Sequence, residues 1–151
     1  MKLDIMSLKI SIEIDYQLEE LIAAIHQVEG IKVADLRIHQ LISEDQNLNH
    51  GIYIFKNNLK EIYVGKCTSR SFVERISAHF DNRDGAWMNT ILKKISKSNN
   101  ITIQEAYFYF LKYFQLILIP VNTEIFTKTK INTLEKELIN QISTLNIIIK
   151  S

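Results

Sequence analysis

The sequence predicts a mixed α+β domain. Three observations carry that expectation. Two short strand-like runs face each other across a polar turn at residues 51–65. A separate apolar run lies at 115–121. Helical periodicity fills several of the stretches around them. At 151 residues the chain is long enough for one compact domain with an extension.

The elements follow in order. Residues 8–14, LKISIEI, alternate apolar and polar, as a strand does. Asp15 can cap the helix YQLEELIAAIHQVE, and Gly30 ends it. DLRIHQLIS (35–43) suggests a second short helix with Asp35 near its start. EDQNLN (44–49) is a loop and a soft boundary, so residues 1–49 form a β/α extension and 50–151 the main domain. GIYIF and EIYVG are rich in β-branched and aromatic residues, and Asn57 and Asn58 tolerate turn geometry between them. A helix is expected from about Ser71 to Phe80, then the loop DNRDG (81–85). AWMNTILKKISK is a further helical pattern, ended by Asn99 and Asn100. TIQE (102–105) is a capping box, so EAYFYFLKYF reads as a helix despite its aromatic residues. QLILIPV (115–121) is a buried strand and INTLEKELINQI (131–142) the last helix.

Composition bounds the class. The chain is 46% hydrophobic and 23% charged, as soluble globular domains are. No apolar run approaches the roughly 18–20 residues that span a bilayer, and the acidic, alternating start is unlike a signal peptide. Cys67 is the lone cysteine, which excludes an internal disulfide and a zinc cluster and fits a reducing, cytoplasmic setting. The net charge of +1 hides a pattern. Residues 1–50 hold 4 Lys/Arg against 9 Asp/Glu, a net of −5, while residues 51–112 hold 10 against 5, a net of +5. A basic middle segment suits a polyanion such as nucleic acid, or simply an acidic neighbour.

The chemistry-bearing positions are few. Arg75 and His79 are four apart on one helix and share a face beside its apolar stripe. Arginine can fork onto a phosphate, and histidine can carry a proton or orient a water. A half-exposed rim pair is the plainer alternative. In the last helix, at about 100° per residue, Glu135 falls inside the arc of Ile131, Leu134, Leu138 and Ile142, while Glu137 falls outside with Lys136 on the solvated side. An inward carboxylate needs a partner: a divalent cation in a cleft, or an ion pair for which Arg75 is the obvious candidate. If the helix persists, Asn146 projects to the same side as Glu135. Tyr53 and Tyr63 share a face only if the hairpin pairs in an even register. These are parts for phosphodiester hydrolysis. A tyrosine or histidine would take the proton of water, Arg75 and Lys66 would balance charge, and a metal on Glu135 would assist the leaving oxygen. No second acid converges, so one metal suffices.

Taken together these residues resemble the GIY-YIG nuclease family. GIY (51–53) and YVG (63–65) are similar to the two halves of its signature, with Val64 for the usual isoleucine. Lys66, RISAH (75–79), EKELI (135–139) and Asn146 follow in the family's order. The resemblance implies a three-stranded antiparallel sheet, made of the hairpin and the 115–121 strand, with helices on both sides. It implies an intracellular endonuclease that cuts DNA with Mg²⁺ or Mn²⁺. Carried over by position, Tyr53 would be the base or water-positioning residue and Tyr63 its partner in the cleft. Gly65 would allow close approach, Lys66 and Arg75 would bind the phosphate, and His79 would assist. Glu135 would hold the metal, and Gly51 and Asn146 would brace the fold. The segment between His79 and the last strand is long for the family, and residues 1–49 lie outside the signature. Those residues are candidates for a homodimer or protein-partner contact, or for shielding the basic face. The competing function is a binding module without turnover, holding nucleic acid or protein on the same fold.

Overall fold

The computed structural model describes residues 3–5, 9–142 and 144–146. Among the described residues six strands and five α-helices form an α+β arrangement. Strands β1 (Leu3–Ile5) and β2 (Ile10–Ile12) pair as a small antiparallel ladder. Helix α1 (Leu18–Gln27) and the two-residue strand β3 (Ile31–Lys32) follow. The hairpin is β4 (Gly51–Asn57) and β5 (Ile62–Cys67). Helices α2 (Phe72–Ala78), α3 (Thr90–Asn99) and α4 (Ile103–Tyr113) lead to strand β6 (Phe114–Pro120) and helix α5 (Lys128–Gln141).

The main sheet has four strands in the order β3-β6-β4-β5, all antiparallel. This corrects the three-stranded expectation, because the N-terminal segment supplies the fourth strand. Gly30 makes that possible: a Cβ there would strike the backbone of Leu116. Its N–H donates to Gln115 Oε1 at 3.1 Å. Helix α1 is fastened to the sheet by Lys56, whose ammonium donates to the carbonyls of Ile25, His26 and Val28 at 2.5–3.3 Å. Those are carbonyls that a helix end leaves open.

Apolar side chains divide between the two faces of the sheet. One face carries Tyr53, Phe55, Tyr63 and Cys67 against α2, α3 and α4. The other carries Ile52, Ile54, Ile62 and Val64 against α1 and α5. Period-two alternation produces this split. The register Tyr53↔Gly65 and Phe55↔Tyr63 puts both tyrosines on one face and meets the condition stated above. Asn57 sets the register. Its Oδ1 accepts from the N–H groups of Leu59 and Glu61 at 3.0 and 2.9 Å, and Lys60 takes the left-handed conformation (φ 65°). Gly51 has φ 147°, and a Cβ there would meet the Ile119 carbonyl.

Several local expectations need correction. Asp15 does not cap α1. The cap position is Gln17, because Tyr16 stacks on Phe126 at 6.5 Å and stays outside the helix. Residues 35–43 form no α-helix but lie in two 3₁₀ turns, Val33–Asp35 and Ile38–Leu41, with extended backbone at Leu36 and Arg37 between them. The extended residues Leu36 and Arg37 break the run between the two turns, which leaves Val33 and Leu41 buried. Helix α3 begins at Thr90, not Ala86. The preceding turn is held by Arg75, which donates to the Met88 carbonyl at 3.2 Å, and by Asn89, which donates to the Asp81 carbonyl at 2.6 Å. The capping box at Thr102 and Glu105 is present, and α4 is helical. Of the expected first strand, Leu8 lies outside the described residues. No helix among the described residues is long and apolar enough to cross a membrane.

Candidate active site

A cleft of about 380 Å³ opens at the edge strand β5. Tyr53, Tyr63, Gly65, Lys66, Arg75 and Glu135 all line it, so the structure brings together side chains from β4, β5, α2 and α5. The cleft wraps around the strand edge. Tyr63 and Gly65 belong to the α2 face, whereas Lys66, one residue on, turns to the α5 face and meets Glu135. Gly65 is the hinge of this arrangement. It stands directly opposite Tyr53, and a Cβ there would overlap the Tyr53 ring. The close approach that requires glycine is thus that of Tyr53.

Tyr53 lies on the cleft floor, and its oxygen is 2.7 Å from His79 Nε2. His79 caps the C-terminus of α2 and is fully buried, with the rings of Tyr63 and Phe55 packed on it at 5.4 and 5.6 Å. The rim position expected for it is therefore corrected: His79 does not line the cleft but stands behind Tyr53. Burial, aided by the positive charge of Arg75, holds its imidazole well below the usual histidine range. The ring is neutral, and its Nδ1 accepts the Ile91 backbone N–H at 3.3 Å. The proton then resides on Nε2, which donates to Tyr53.

Burial raises the phenols of both tyrosines above their ordinary range, and Arg75 offsets only part of this. Tyr63 is further engaged by Thr90 and Tyr53, whose hydrogen bonds favour its ionised form. Both tyrosines hold their protons at neutral pH. Cys67, at the same wall, is pushed up to about 12 by burial and is no nucleophile there.

Glu135 is half-buried, with 17% of its side chain exposed. Its charged partner is Lys66, at 3.7 Å, and not Arg75 as expected. Lys66 also donates to Asn132 Oδ1 at 2.8 Å. Burial raises the Glu135 carboxyl, and Lys66 is the main offset. Arg75 is anchored by Met88 instead. Glu137 is half-buried rather than fully solvated, near enough to Tyr16 to raise its phenol slightly beyond the effect of burial. Among the described residues no group of three or more His, Cys, Asp or Glu gathers around one point. A hard cation that keeps most of its waters needs only one carboxylate plus substrate oxygens, and Glu135 in a polar, open cleft fits that requirement.

Asn146 is not on α5, which ends at Gln141, but in the turn beyond it. Its side-chain amide accepts from Val64 N–H at 2.9 Å and donates to Val64 C=O at 2.7 Å. Thr68, Ser69 and Arg70 complete the cleft wall with Met88. They follow the second glycine in a loop, where no periodicity marks them. The sequence marks them only by the two cations, Lys66 and Arg70, at the ends of KCTSR. No described residue of the N-terminal segment lines the cleft.

No family model matches the chain, and no curated protein or solved structure matches it either.

Proposed function

We propose that the chain is a GIY-YIG-type endonuclease that hydrolyses DNA phosphodiester bonds with the help of one divalent ion. The observation that carries this reading is the convergence in one cleft of Tyr53, Tyr63, Lys66, Arg75 and Glu135, drawn from four separate elements. Lys66 and Arg75 hold the phosphate and meet the negative charge that grows on it during attack. The tyrosine pair orients the attacking water. His79 fixes Tyr53 by donating to its oxygen, which makes His79 a positioning residue. Neither phenol is ionised in the free protein, so a tyrosine accepts the water's proton only after releasing its own to solvent, which the charge of Arg75 and of a bound ion would favour. Glu135 would hold Mg²⁺ or Mn²⁺, and the ion when bound supplies Lewis acidity at the leaving oxygen. Lys66 neutralises Glu135 while that place is free.

The test is incubation of supercoiled plasmid and branched DNA with the protein, in Mg²⁺ and in chelator. Nicked or linear products in Mg²⁺ alone are expected. DNA binding without cleavage in Mg²⁺ and in Mn²⁺ would replace the nuclease by a silent binding module.

A further inference from the structure

Trp87 is the most exposed large apolar side chain among the described residues, at 89%. It sits on the 81–89 loop between α2 and α3, which is tied down at several points. Arg83 forks onto Asp81 at 2.9 and 2.6 Å. Asn89 donates to the Asp81 carbonyl, Gln104 to that of Asn82, and Lys93 to that of Trp87 at 2.6, 3.2 and 3.4 Å. Gly85 makes the reversal with φ 78°. A held loop presenting a bare indole bears a low ordering cost on binding.

The loop encloses a hollow of about 440 Å³, walled by Trp87, Met88, Arg83 and Asp84 among others. Met88 lines both this hollow and the catalytic cleft, so the two are neighbours. Their chemistry differs. The cleft has Lys66, Arg70 and Arg75 for a phosphate. In the hollow the Arg83 guanidinium is already spent on Asp81, and Asp84 contributes a further carboxylate, which repels phosphate and accepts from N–H donors. A flat apolar face beside the Asp84 carboxylate suits a nucleobase with an amino group.

We infer that Trp87 is a stacking platform for an unpaired base next to the phosphate in the cleft. The substrate class is then DNA with unpaired bases, such as a flap, bulge or single strand, in preference to intact duplex. Inside an intact duplex every base face is already stacked, so away from the ends the indole has nothing to cover. This rests on the reading of the cleft as a nucleic-acid site.

Trp87 is the chain's one tryptophan, so its fluorescence reports this position alone. The full chain in chelator is titrated with a blunt duplex, the same duplex carrying a central bulge, a single strand, and anionic vesicles. The expected result is quenching by the bulged and single-stranded DNA, with at least about fivefold tighter binding than to intact duplex, the low end for one stacked base. Read by the anisotropy of dye-labelled DNA, since the variants carry no tryptophan, Trp87→Ala brings that ratio to about one, and Trp87→Tyr restores it. So exposed a side chain can be removed without loss of fold, which circular dichroism checks. Unchanged emission at saturating DNA, an unchanged ratio in Trp87→Ala, or a response to vesicles and not to DNA would overturn the inference. Quenching in a protein that never cuts with any divalent ion supports the platform and removes the nuclease. Cleavage with unaltered emission does the reverse.

Discussion

Tyr53 governs the chemistry of its neighbours. Gly65 is small because the Tyr53 ring occupies the space of its side chain, and the buried His79 gives Tyr53 a fixed donor behind it. Burying a histidine has a thermodynamic consequence. Its folded pKa lies well below the unfolded value of about 6.5, mainly through burial. Below that pH the unfolded chain takes up a proton that the native chain refuses, so stability is full above the unfolded pKa and declines as pH falls. The slope from this one group is at most about 1.4 kcal/mol per pH unit. Glu135, with a raised carboxyl, works in the opposite sense as pH rises through its folded pKa. A comparison of wild type with His79→Gln isolates the imidazole. Urea midpoints from pH 7 to pH 5 should fall in the wild type and stay flatter in the variant. Parallel curves would mean that His79 is charged in the native state.

At the scale of elements, β5 is an edge strand and its outward backbone groups need partners. Asn146 supplies both for Val64, next to Gly65, and its own carbonyl accepts from Lys94 at 2.6 Å. The turn after α5 thereby fixes the strand around which the cleft is folded. Asn146→Ala should cost about 1–3 kcal/mol by leaving the Val64 groups unpaired, measured by denaturant unfolding, and should lower activity through a loosened β5. A change under about 0.5 kcal/mol would mean that water replaces the amide. Much at this scale was legible in the sequence. The hairpin, the capping box at Thr102, the β6 run and α5 follow from period and cap chemistry. Strand β3 was not, since two residues carry no period and only the contact with β6 makes them a strand. The turns at Val33–Asp35 and Ile38–Leu41 mimic a helix start in composition and differ only in where their apolar residues bury. The Lys66–Glu135 pair was hidden for a similar reason. It crosses the sheet edge, and spacing along one helix says nothing of what reaches it from another element.

For the whole molecule, the acidic first third packs on both faces of the sheet. Ile10, Leu21, Ala24 and Ile25 pack with α5 on the face that carries Ile52 and Ile54, while Val33 and Leu41 join the cluster of the tyrosines on the other. The N-terminal segment thus supplies core to the sheet that holds the cleft. The central claim is that this cleft cuts DNA through the carboxylate that lines it, Glu135. The most direct measurement compares wild type and Glu135→Gln on the same DNA, scoring binding in chelator and single-turnover cleavage in Mg²⁺. Loss of a metal ligand that contributes several kcal/mol to the transition state should slow cleavage at least about a hundredfold, with binding within a few-fold of wild type. A Glu135→Gln protein that cuts at the wild-type rate would contradict the account.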